Sequence, residues 1–170
     1  VLQCHARQHR RGPVGEDAMT ASERGRDEDL LHLDRQLCFP LYAATNLLQR
    51  LYRPLLKPLG LTYSQYLVML VLWEREEVSV GELGGCLHLD VGTLSPLLKR
   101  MEEAGLIVRR RDVADKRRVF AAPTAHGWAL YDEVRRIPEA LAERTGLIAE
   151  EGEQLRAQAQ AFVVRLAGVV

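Results

Sequence analysis

With 170 residues, 47% of them hydrophobic, the chain can build one well-packed core and is short for two. Its 23 Lys and Arg balance 23 Asp and Glu, so no global basic charge advertises a nucleic-acid partner and any cationic surface must be local. No apolar run nears the roughly 18–20 residues that cross a bilayer, and the first residues lack a secretory pattern. The three cysteines, Cys4, Cys38 and Cys86, are widely spaced and odd in number, which argues for reduced thiols and a cytoplasmic protein.

Residues 1–29 mix Arg, Gly, His, Asp and Glu with little apolar periodicity and are expected to form a flexible tail. Cys4, His5 and His9 fall there, but no second ligand cluster completes a metal site, so neither metal nor cofactor is expected. From Leu33 to Leu56 the positions Leu37, Leu41, Ala44, Leu48, Leu51 and Leu55 step by three or four and predict an amphipathic helix. Pro40 belongs in its first turn or kinks it, and Pro54 and Pro58 close it. Thr62 with Gln65 forms a capping box ahead of a second helix through Tyr66, Met69, Leu70 and Trp73; Ser79 with Glu82 repeats the signal before a short helix carrying Leu83 and Leu87. After a break at Leu89 and Asp90, the residues Leu94, Leu97, Leu98 and Met101 spell another helix, stopped by Gly105. Pro96 fits if that helix begins near Thr93.

Two β-leaning runs follow, Leu106 to Arg110 and Val119 to Ala122, around a charged segment that reads as a hairpin. Thr124 then caps a long helix containing Leu130, Val134 and Ile137, and residues from about Ala149 to Ala167 make a last one through Leu155, Ala159, Phe162 and Leu166. The fold class is therefore mainly α with a small β-hairpin wing. No Gly-rich phosphate loop, HExxH or GxSxG is present, and no enzymatic activity is expected.

A short helix, a tight turn, a second helix and a basic hairpin form the layout of a winged helix-turn-helix, whose second helix enters the DNA major groove. The outward face of that helix would show Thr93, Ser95, Lys99 and Arg100. In the hairpin Arg109, Arg110, Arg111, Lys116, Arg117 and Arg118 outnumber Asp112 and Asp115, which suits phosphate contacts and an arginine in the minor groove. The bland alternative is a solvated, salt-bridged hairpin.

Asp115-Lys116-Arg117 followed by Thr124-Ala125-His126-Gly127 resembles the signature of the MarR family, an aspartate and an arginine in the wing and then Thr-x-x-Gly opening the next helix. The resemblance spans about residues 30–168, with Pro123 standing where leucine is usual. It implies that Asp115 positions the wing and Arg117 reaches the minor groove. It also implies a winged-helix domain over 30–168, with 62–123 as the DNA-binding part and 30–58 and 124–168 as dimerisation helices. The partners implied are a second copy, in an intertwined homodimer, and double-stranded DNA with a pseudo-palindromic operator.

Leu33 to Phe39 with Leu41-Tyr42, Tyr52, Pro54-Leu55-Leu56, Leu61-Thr62-Tyr63, Gln65-Tyr66-Leu67 and Gly92-Thr93-Leu94 are similar to the organic-hydroperoxide-sensing (OhrR-type) subgroup. That similarity implies a peroxide-reactive Cys38 with Tyr42 and Tyr52 as hydrogen-bonding tyrosines from the first helix and its partner. The residues agree. Tyr42 lies one helical turn beyond Cys38, and a cysteine in a first turn has its thiolate stabilised by free amides and the helix dipole. Phe39 and nearby leucines would line an apolar pocket for an organic hydroperoxide. Oxidation would give a sulfenic acid. Some relatives resolve it with a cysteine after the wing, yet none occurs from residue 87 onward. Cys86 reads as a buried core residue, so the expected product is a mixed disulfide with a low-molecular-weight thiol, or over-oxidation, with Cys4 an outside candidate. The alternatives are a MarR-type repressor answering a small anionic or phenolic ligand in the dimer crevice, a thiol peroxidase, and a Cys38 that merely fills core space.

Overall fold

The computed structural model describes residues 31–170, which divide after Ala44 into two compact units. The tail with Cys4, His5 and His9 lies outside the described residues. The first unit holds a 3-10 turn, Leu33–Arg35, and the start of helix α1 (Cys38–Leu56). Pro40 sits in the first turn of α1, where its missing amide costs nothing, and Pro54 falls in the last. A 3-10 turn, Lys57–Leu59, then carries Pro58.

The second unit opens with the rest of α1 and continues through α2 (Tyr63–Arg75), strand β1 (Val78–Ser79), α3 (Val80–Leu87), α4 (Val91–Glu103), β2 (Ile107–Arg111) and β3 (Val119–Pro123). Both capping boxes form: the Thr62 amide donates to Gln65 Oε1 at 2.8 Å and the Ser79 amide to Glu82 Oε2 at 3.1 Å. The core is built from side chains with no accessible surface, Leu56, Val68, Met69, Leu72, Leu83, Leu94, Leu98 and Met101. Burying each residue of this kind contributes about 1.5–3 kcal/mol, so α2, α3 and α4 are held chiefly by this shared interior.

The structure departs from the sequence expectations in three elements. The sheet has three strands, in the order β1-β3-β2, because Val78 and Ser79 pair antiparallel with Ala121 and Phe120. Two residues are too few to show alternation, so β1 carried no periodic signal. Helix α4 starts at Val91, capped by Asp90 (Thr93 amide to Oδ1, 2.9 Å), rather than near Thr93. Pro96 therefore sits in the second turn, leaving the Gly92 carbonyl without its intrahelical donor on an exposed face. The helix after Thr124 is broken into α5 (Ala125–Ala129), α6 (Tyr131–Val134) and α7 (Ile137–Thr145), followed by α8 (Ala149–Ala167). Pro138 supplies the reason at the α6–α7 break, since it has no amide to give the Val134 carbonyl. Leu130, Val134 and Ile137 are nevertheless buried, as their spacing predicts.

Residues Gly105 to Gly127 close a tight junction. Gly105 (φ 71°) ends α4, the Thr124 amide donates to the Leu106 carbonyl at 3.0 Å, and the Thr124 hydroxyl caps the Gly127 amide at 3.0 Å. A Cβ on Gly127 would overlap the Leu106 carbonyl oxygen and crowd Met69. Gly127→Ala is expected to cost roughly 3 kcal/mol, seen as a fall of about 6–12 °C in Tm by calorimetry or circular dichroism; an unchanged Tm would show that the junction has slack.

Candidate functional site

The predicted wing is a hairpin in register from Ile107 opposite Pro123 to Arg111 opposite Val119. Its cations are not equivalent. Arg109 reaches back to α4, where its Nε and Nη2 donate to Glu102 Oε2 at 3.0 and 2.6 Å and its amide donates to Oε1 at 3.1 Å. This charge-assisted buckle ties strand β2 to the end of α4 and holds the Glu102 carboxyl below its ordinary range. Arg110 donates through Nη2 to both carboxylate oxygens of Glu77, at 2.9 and 3.1 Å. Glu77 follows a tight turn at Glu76 (φ 64°), in which the Glu77 amide bonds the Arg75 carbonyl. The guanidinium carbons of Arg110 and Arg118 lie 5.6 and 5.1 Å from the centre of the Phe120 ring, which stiffens both stems.

At the tip, Asp115 accepts from the Arg117 amide at 3.0 Å and from its Nε at 3.1 Å, and its carbonyl accepts the Arg118 amide at 2.9 Å. Asp115 thus shapes the turn, and the hydrogen bonds from Arg117 hold its carboxyl below the ordinary range. The Arg117 side chain is still 91% exposed. Lys116 and Arg118 are exposed too.

On α4, the leucines and Met101 face inward and Thr93, Lys99 and Arg100 face outward, as the periodicity predicts. Thr93 is partly committed, its hydroxyl donating to Asp90 Oδ2 at 2.7 Å. Lys99 lies 3.8 Å from Glu103. Ser95 lines a cleft of about 400 Å³ between α4 and the hairpin, with Arg109, Arg117, Arg118 and Val119 around it. The sequence reading missed Glu77, Glu102 and Phe120, whose roles depend on pairing across elements that no local motif announces.

Cys38 is the first residue of α1 and exposed, with Tyr42 on the next turn, 68% exposed. Phe39, Leu37 and Leu41 are also exposed rather than closed over as a lining. Cys86 corrects its expectation: it is exposed, because α3 turns Leu83 and Gly84 inward and leaves the 86 position toward solvent. Tyr52 stands in an aromatic cluster with Tyr63 and Tyr66, at ring-centroid distances of 5.1 and 5.5 Å. Among the described residues, no group of three or more His, Cys, Asp or Glu side chains forms a candidate metal site.

The MarR family model matches residues 61–119. Over 128 residues the chain is 44% identical to the organic hydroperoxide resistance transcriptional regulator of Bacillus subtilis (strain 168), covering 75% of this chain and 85% of that protein. The chain belongs to the MarR family. It is also 47% identical over 134 residues to the HTH-type transcriptional regulator TtmR of Methylorubrum extorquens (strain PA1), covering 79% of this chain and 68% of that one. Among solved structures, AbfR of Staphylococcus epidermidis in its reduced form bound to DNA aligns with a TM-score of 0.68 and 31% identity, over 84% of this chain and 99% of that one. Its overoxidized form, also bound to DNA, aligns at a TM-score of 0.64 and 31% identity, over 86% and 99% of the two chains. This MarR-family protein is a transcriptional regulator with the winged-helix fold. No single helix among the described residues is long and apolar enough to cross a membrane.

Because Glu102 has a depressed carboxyl pKa, its contribution to wing stability is complete above the ordinary glutamate value and is lost as pH falls through the folded-state value. Hydrogen exchange at the Arg109 amide is therefore expected to speed up on acidification, beyond the intrinsic pH effect. Glu102→Gln should show the faster exchange already at neutral pH, and equal protection in both proteins would show that the buckle is idle.

Proposed function

We propose that this MarR-family regulator is a cytoplasmic repressor that binds a pseudo-palindromic double-stranded DNA operator as an intertwined homodimer and releases it when an organic hydroperoxide oxidises Cys38. The carrying observation is an exposed thiol at the first residue of α1 with Tyr42 one turn away. The 44% identity to a regulator of organic hydroperoxide resistance supports the choice of inducer.

Residues 62–123 form the DNA-binding part. Thr93, Ser95, Lys99 and Arg100 face the major groove from α4, while Arg110, Lys116, Arg117 and Arg118 meet phosphates and the minor groove from the wing, with Asp115 fixing the tip. Dimerisation falls to 30–58 and 124–168. The apolar side chains Leu47, Leu48, Leu147, Ile148, Leu155, Val164 and Leu166 are exposed in the single chain, and α8 buries no residue at all. Such surfaces call for a partner. Tyr52 serves the thiol of the second protomer, as the resemblance to the organic-hydroperoxide-sensing subgroup implies.

In the sensing step the Cys38 thiolate attacks the terminal oxygen of the hydroperoxide. The S–O bond forms as the O–O bond breaks, sulfur gives up two electrons, and the alkoxide takes a proton and leaves as the alcohol. The sulfenic acid then condenses with a low-molecular-weight thiol, releasing water and leaving a mixed disulfide. Since overoxidized AbfR is bound to DNA, the mixed disulfide is the better candidate for the released state. Cys38 acts once per signal and does not turn over, as befits a chain whose relatives are transcriptional regulators. A bulky group at Cys38 breaks the tyrosine hydrogen bonds and moves the two DNA-reading heads relative to each other.

The cationic cleft between α4 and the wing favours a second reading, a small anionic ligand as inducer. The two are separated by DNA binding of the reduced full chain before and after a low dose of cumene hydroperoxide plus a small thiol, beside Cys38→Ser. Release by the wild type, recovery with dithiothreitol and a mutant that stays bound are expected. Release of both proteins alike would transfer the signal to a ligand. Separately, Arg117→Ala should weaken binding to all sequences and lower the log–log salt dependence by about 1 per protomer; an unchanged slope would mean that Arg117 meets no phosphate.

A further inference from the structure

Helix α4 opens on Asp90, Val91, Gly92 and Thr93, all exposed. Asp90 holds Thr93 at two points: Oδ1 accepts the Thr93 amide at 2.9 Å and Oδ2 accepts the Thr93 hydroxyl at 2.7 Å. The hydroxyl's bond first, and the amide's after it, hold the Asp90 carboxyl below its ordinary range. At neutral pH the carboxyl is ionised and can only accept, so the proton in the second bond belongs to Thr93. Gly92 keeps room for the pairing, since a Cβ there would stand 2.9 Å from Oδ1 and displace the carboxylate. A threonine hydroxyl has one proton. With it committed, Thr93 Oγ1 turns only lone pairs outward, and neither Val91 nor Gly92 has a side-chain donor to add.

We propose that Asp90 sets the base preference of α4 by fixing Thr93 as an acceptor, so that Thr93 reads the exocyclic amino group of an adenine or cytosine and rejects guanine or thymine at that position of the contacted strand. This rests on the placement of α4 in the major groove above and adds to it the chemical polarity of the reading. The first residues of a recognition helix are those that reach base edges. In the major groove adenine and cytosine offer amino donors at N6 and N4, whereas guanine and thymine offer keto acceptors at O6 and O4. To donate to a keto oxygen, Thr93 would exchange an ionised acceptor for a neutral one, and a charge-assisted bond is roughly twice as strong. If it kept its proton on Asp90, two acceptors would face each other with no donor between them, which costs the desolvation of both. An amino base satisfies Thr93 with no rearrangement.

The test selects binding sites from a pool of random double-stranded DNA with the reduced full-length protein, beside Thr93→Val and Asp90→Asn. Asparagine caps a helix as well as aspartate does, but it sets an amide donor where Oδ2 stood and so sends the Thr93 proton outward. The wild type should select an amino base at one position of each half-site. Thr93→Val, nearly the same in shape, should lose the choice at that position alone, and Asp90→Asn should reverse it to a keto base. Replacing the selected base by its analogue without the amino group, deoxynebularine for adenine or the 2-pyrimidinone nucleoside for cytosine, should weaken wild-type binding about two- to tenfold. The same replacement should leave Thr93→Val unaffected. Because Asp90→Asn also removes a negative charge near the phosphates, the readout is the preference among bases at one salt concentration and not the affinity. A keto base in the wild-type site, or both variants selecting the wild-type sequence, overturns the inference and leaves DNA recognition by α4 standing. So does an Asp90→Asn protein that retains or merely loses the preference. If Thr93→Val keeps a preference that Asp90→Asn reverses, Asp90 itself is the reader and the role given to Thr93 falls. A wild type that selects no sequence at all would bring down the groove placement and the inference together.

Discussion

The winged-helix part of this chain depends on a contact that admits no side chain. At Gly127 the backbone of the segment following the wing presses on the Leu106 carbonyl, which opens the wing. The same glycine offers its own carbonyl to the Trp73 indole at 3.1 Å, so α2 is bound into the junction. Thr124 completes it by bonding Leu106 through its amide and capping Gly127 through its hydroxyl. Elements far apart in sequence meet at one spot, and their relative positions are set by hydrogen bonds whose lengths cannot drift far. The Thr-x-x-Gly signature is thus a structural device first, and serves function through the wing it positions.

A neutral chain can still present a cationic edge because its arginines are sorted. Arg109 is spent largely within the fold, on Glu102, and fixes strand β2, while Arg110 is steadied by Glu77 and keeps more than half of its side chain exposed. Arg117 and Lys116 project beyond the last paired residues. Exposed ion pairs contribute little to stability, so the acidic partners matter mainly for where they aim the positive charge. Asp115 is the clearest case, since it holds both the turn and the arginine that the turn displays.

The elements with local signals were legible in the sequence. Both capping boxes, the last helix and the buried stripe of α4 could be read because the code for them lies within three or four residues. What escaped was non-local. Strand β1 exists only because Phe120 and Ala121 pair with it, and the helix after Thr124 breaks where Pro138 withholds an amide from a segment whose apolar spacing runs straight through. Cys86 was misplaced for a related reason. Flanked by Leu83 and Leu87 it reads as apolar, but one position along a helix turns a side chain by about 100°, enough to carry it from interior to surface. The partners of Arg109 and Arg110 lie on other elements, so their commitment had no sequence signal at all.

Val78–Ser79 is at once the third strand of the sheet and the run-in to α3, with Ser79 both paired to Phe120 and capping the helix. Strand and helix therefore share the same peptide units, while Glu102 fastens the opposite strand to α4. A wing joined at both edges is no flap on a hinge. Bending it would require breaking a cap, a ladder and an ion pair together. The motion left to this half of the protein is that of a solid body, and a signal arriving from outside would act on where the block sits, altering the spacing between two copies instead of the shape of either.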